Sequence, residues 1–90
     1  MNKENSPILN DTFKGFALFT DIEDEQLRAR NRAAVLTNMA IDHTKNRLIS
    51  AGGAGLMLGY FRAIPEAERA ITQQLFIERM KQEGFEIVRH

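Results

Sequence analysis

Ninety residues and about 10.3 kDa make one small domain, with 43% apolar and 27% charged residues, a globular balance that excludes wholesale disorder. There is no cysteine, which excludes a disulfide framework, a thiolate nucleophile and Cys-ligated zinc. No apolar run approaches the roughly 20 residues of a membrane helix, and Met1-Asn2-Lys3-Glu4-Asn5 lacks the apolar core of a secretion signal, so a soluble cytoplasmic protein is expected. Net charge is zero but uneven: residues 1–25 carry −4, residues 26–62 carry +5 and the remainder −1. A basic middle fits a nucleic-acid footprint and fits internal ion pairing equally well. The neutral whole lacks the positive charge that drives phosphate affinity.

Residues 1–12 are polar, contain Pro7 and Asn10-Asp11, and read as a flexible N-terminal arm ahead of a single helical domain over 13–90. The aromatic-rich Phe13–Phe19 is short for a helix and suits a short strand or an apolar arm over a core. Thr20-Asp21-Ile22-Glu23 fits a capping box, and the acids at 21, 23 and 24 suit the positive end of a helix dipole. A long first helix is predicted from about Asp21 to about His43. Ile22, Ala29, Ala33, Leu36 and Ala40 form one apolar stripe. Leu27, Ala34, Ile41 and Leu48 form a second, about 120° round the helix. Val35 and Met39 project from the otherwise polar side. The glycines from Gly52 onward end this helix, and a short second helix is predicted over about 53–62, with Ser50 as its cap. Pro65, Glu66 and Glu68 open a third, from about Pro65 to Glu83, closed by Gly84. In it Ala70, Phe76, Ile77 and Met80 make one broad face, with Ile71 and Leu75 nearly opposite. Phe85 and Ile87 alternate as in a short closing strand. The fold class is therefore mostly α: three helices, long, short and long, with short extended segments near both termini.

Catalytic and metal constellations are not found in the sequence. The glycines between Ile49 and Tyr60 suggest a dinucleotide turn, but no βαβ context and no ribose-binding acid follow, so they read as an interhelical turn, with Gly55 and Gly59 letting another helix approach closely. His43 suits a helix C-terminus, and with only His90 besides it makes no metal site. No cofactor is implied. A helix-turn-helix reading of the last two helices puts Glu66 and Glu68 at the leading edge of the recognition helix, the wrong sign for phosphates.

Two stretches, Arg28-Ala29-Arg30-Asn31-Arg32-Ala33-Ala34-Val35-Leu36 and Gly53-Ala54-Gly55-Leu56-Met57-Leu58-Gly59-Tyr60-Phe61 followed by Ile64-Pro65, resemble small accessory proteins of enterobacterial temperate phages. The resemblance covers about a third of the chain and carries no site residue. It implies a cytoplasmic, nonessential regulator or host-interaction factor.

Both long helices carry more apolar surface than one small bundle buries, which predicts a homodimer. The expected function is non-enzymatic: a dimeric adaptor or inhibitor acting on a host or phage protein. Arg32, Val35, Met39, Tyr60 and Arg62 are the candidate partner-binding residues, and Leu27, Ala34 and Ile41 the candidates for self-association. Arg30, between the stripes, is expected in a partly buried ion pair. The alternative is a DNA-binding regulator using Arg28, Arg32, Lys45 and Arg47.

Overall fold

Three helices and one two-stranded hairpin make up the computed structural model, which describes residues 17–85. Helix α1 spans Glu25–Asp42 and leads into strands β1 (Thr44–Lys45) and β2 (Leu48–Ile49). Helix α2 follows at Ala51–Ala63, and α3 at Glu66–Gln82. The mostly helical class and the long, short, long order are as the sequence predicts. The 1–12 arm, the residues of the aromatic segment before Ala17 and the strand expected beyond Phe85 lie outside the described residues.

The start of α1 differs from the capping-box expectation. Its N-cap is Asp24, whose Oδ1 accepts from the backbone N–H groups of Gln26 (2.9 Å) and Leu27 (3.3 Å). Thr20 sits instead in a turn closed by Ile22 N–H to the Phe19 carbonyl (3.1 Å), with Phe19 at φ 58°. A carboxylate that satisfies two orphan amides beside the positive helix end outcompetes the earlier Thr hydroxyl.

A hairpin follows α1, so Leu48, placed by its spacing on the second stripe of the helix, lies in β2 instead. Thr44 pairs with Ile49 and Lys45 with Leu48, antiparallel. Asn46 and Arg47 sit at φ 56° and 65°, the two left-handed positions of a type I′ turn. Asn accepts this backbone readily, whereas a long side chain such as Arg there costs about 1 kcal/mol.

Ser50 caps α2 as expected, its Oγ accepting from Gly53 N–H at 3.0 Å. A Cβ placed on Gly53 would lie 2.3 Å from His43 Cβ, so the missing side chain lets the first turn of α2 rest on the end of α1. Gly55 has open space around it. The close approach expected at Gly55 thus falls at Gly53. Helix α3 ends in a Schellman motif at Gly84 (φ 90°), with Phe85 N–H to the Met80 carbonyl and Gly84 N–H to the Lys81 carbonyl, both at 3.0 Å.

Helix α1 is the centre of the molecule. It packs on α3 along most of its length and on α2 along a shorter stretch. Of the first predicted stripe, Ala29, Ala33, Leu36 and Ala40 are buried, together with Thr37, while Ile22 precedes the helix and is half-buried. Thr37 and Thr72 return their hydroxyls to carbonyls one turn back, Ala33 at 2.8 Å and Glu68 at 3.0 Å, so neither burial leaves an unpaired donor. From α3, Thr72, Ile77 and Met80 are buried, while Ala70 is exposed and Ile71 and Leu75 are half-buried. A second part of the core gathers Leu36, Tyr60 and Ile64, with Leu18, Val35, Met39 and Met57 packed against them.

Candidate functional site

Two of the five side chains expected to meet a partner are buried in the fold, and two more are half-buried against its core. Arg32 is 1% exposed and Tyr60 0%. Val35 and Met39 pack against the Leu36–Tyr60–Ile64 cluster, because α2 covers the flank of α1 that its sequence leaves looking polar. Of that set only Arg62 is exposed.

Arg32 and Tyr60 instead hold the segment that precedes α1. Arg32 donates from Nε to the Leu18 carbonyl (2.8 Å) and from Nη1 to Glu68 Oε1 (2.6 Å). Arg28 donates from Nε to the same oxygen (2.9 Å) and from Nη1 to the carbonyls of Ile22 and of Glu23 (3.1 Å). The Tyr60 hydroxyl donates to the Ala17 carbonyl. Hydrogen bonds from Arg28 and Arg32 hold the Glu68 carboxyl below its usual range. Burial pushes the Tyr60 phenol up to about 12, partly offset by the positive charge of Arg32.

This cluster also removes half of the nucleic-acid set. Arg28 and Arg32 are engaged with Glu68 and backbone carbonyls, and only Lys45 and Arg47 of the four are exposed. Arg47 reaches from the hairpin tip to the Gly84 carbonyl. Arg30, expected in a partly buried pair, is exposed, because α2 and α3 both pack on other sides of α1. The self-association candidates keep their surface: Leu27 and Ile41 are each 41% exposed, and Ala34 is half-buried.

The feature that sequence reasoning missed is a groove of about 350 Å³ between α2 and α3. It exists because both helices lean on α1 far more than on each other. Leu36 of α1 lines its base. Ala54, Met57, Leu58 and Phe61 of α2 form one wall, Phe76 and Gln73 of α3 the other, and Ile49 of β2 closes one end. Gln73 is the one polar residue in this lining. Leu58 (49% exposed) and Ile49 stand at its rim, and Leu48 is 74% exposed on the hairpin beside Ile49. One signal was present in the sequence: residues 48–61 contain no charged side chain, so α2 is uncharged until Arg62. A helix without a charged face is ordinarily covered on all sides.

Among the described residues no group of three or more His, Asp or Glu is placed to hold a metal, and no helix is long and apolar enough to cross a membrane. No family model matches the chain, and no curated protein or solved structure matches it either.

Proposed function

We propose that this chain is a non-enzymatic, cytoplasmic protein-binding module, an adaptor or inhibitor that seats protein in the groove between α2 and α3. The observation that carries this reading is the groove itself: an apolar cleft with large hydrophobic side chains left exposed at its rim. Concave apolar clefts of this kind accept an apolar helix face or side-chain anchors. Exposed apolar surface on two faces, Leu27 and Ile41 on α1 and Ile49 and Leu58 at the groove, supports action as a homodimer. The resemblance to temperate-phage accessory proteins supports a host or phage protein as target. Nucleic-acid binding is the weaker reading, since Arg28 and Arg32 already serve an internal carboxylate.

The test is capture from enteric bacterial lysate with the tagged full chain, with and without nuclease, comparing wild type with Leu58→Asp. A protein that survives nuclease and is lost with the variant is the expected result. Captured material that disappears on nuclease treatment and is indifferent to Leu58→Asp would overturn the reading and direct attention to Lys45 and Arg47.

A further inference from the structure

We infer that the occupant of the groove is a second copy of this chain, bound so that the two α2 helices pack against each other about a two-fold axis. The inference rests on the reading of the groove as a seat for protein and names what sits there.

Three observations select a second copy. The first is charge. In a two-fold contact the same patch meets itself, so any charge near the axis faces its own kind. Residues 48–61, which build β2 and α2 up to its last turn, carry none. The polar group of the groove is the Gln73 amide, both donor and acceptor, and therefore able to pair with its own copy.

The second is shape. A self-complementary contact needs ridge and groove on one surface, and α2 supplies both. Leu58 stands up at the rim, while Ala54 one turn earlier, with Met57 and Phe61, forms the wall below it. The small Ala54 leaves room for the opposing Leu58.

The third is extent. A stable contact of standard size takes about 800 Å² from each partner, about an eighth of the 6254 Å² that one chain exposes. Helix α2, about 20 Å long, lines the groove from Ala54 to Phe61, and Ile49 continues the apolar surface past its start.

Two measurements on the full chain test this. Sedimentation equilibrium over a concentration series is expected to give twice the 10.3 kDa of one chain. Leu58→Asp should weaken the dimer at least about tenfold while leaving the helical circular dichroism unchanged, because Leu58 is half exposed. Since the chain has no cysteine, Ala54→Cys introduces a unique thiol. It should cross-link to its copy with a short bismaleimide, whereas Glu78→Cys, exposed on α3, should not. A wild-type mass of one chain at every concentration overturns the inference. So does a dimer that ignores Leu58→Asp and falls apart with Leu27→Asp plus Ile41→Asp. A monomer that still loses a captured protein through Leu58→Asp refutes the second copy alone and leaves the protein-binding reading standing. A monomer with no groove-dependent capture refutes both.

Discussion

Tyr60 is the chain's single tyrosine, and there is no tryptophan, so its ionisation can be followed without interference. Its phenol is fully buried and donates to the Ala17 carbonyl, and that burial pushes its pKa from an ordinary value near 10 up to about 12. Because the folded state holds the proton more tightly, the unfolded chain ionises first as pH rises. The stability tied to this group is complete below about pH 10 and is lost between about 10 and 12. Phenolate absorbance should therefore rise near pH 12, or with unfolding, in the native protein, and near pH 10 in denaturant. A native midpoint near 10 would contradict the buried hydroxyl. The neighbouring Arg32 shows why residue roles were hard to read in advance. Local charge pattern suggests partners one or two helical turns away, such as Glu25 for Arg28. The carboxylate that both arginines share is Glu68, on another helix.

At the scale of elements, the junction between α1 and α2 carries a sharp contrast between two adjacent glycines. A methyl group on Gly53 collides with His43 Cβ, whereas Gly52 has nothing within reach. Gly53→Ala is expected to cost about 1–3 kcal/mol through overpacking against the α1 terminus. Gly52→Ala, within the same helix, is expected to gain about 0.5–1 kcal/mol by limiting the unfolded chain. Urea unfolding of the two variants side by side checks this. Similar changes in both would mean that α2 does not rest on His43. The element boundaries follow from chemistry that is partly visible in the sequence. Ser50 and Gly84 were legible as cap and terminator, because a hydroxyl before a helix and a glycine after one act locally. The hairpin was not legible, since its type I′ turn uses Asn46-Arg47 where Asn-Gly is the usual signal.

For the molecule as a whole, α1 is the shared wall of two packings, and Leu36 stands where they meet. It belongs to the cluster with Tyr60 and Ile64 and also lines the base of the groove. Leu36→Ala is expected to cost about 3 kcal/mol. Leu27→Ala, on the exposed stripe of the same helix, should cost no more than about 1 kcal/mol. Chemical denaturation reads both. Equal losses would place the exposed stripe within the core of the folded chain.

What the sequence determined by itself were the features that depend on near neighbours along the chain: three helices in the order long, short, long, the buried stripe from Ala29 to Ala40, the cap at Ser50 and the stop at Gly84. Periodicity and capping act over one to four residues, so a single chain displays them directly. What only the tertiary structure decided was which side of each helix meets another. The lie of α2 on α1 took Tyr60 into the core, packed Val35 and Met39 against it, turned Arg32 inward to Glu68, and left Arg30 in solvent. The same placement parted α2 from α3 and opened the apolar groove between them. Each of these outcomes joins residues far apart in sequence, and its physical reason is packing geometry, which hydrophobic pattern constrains but does not specify.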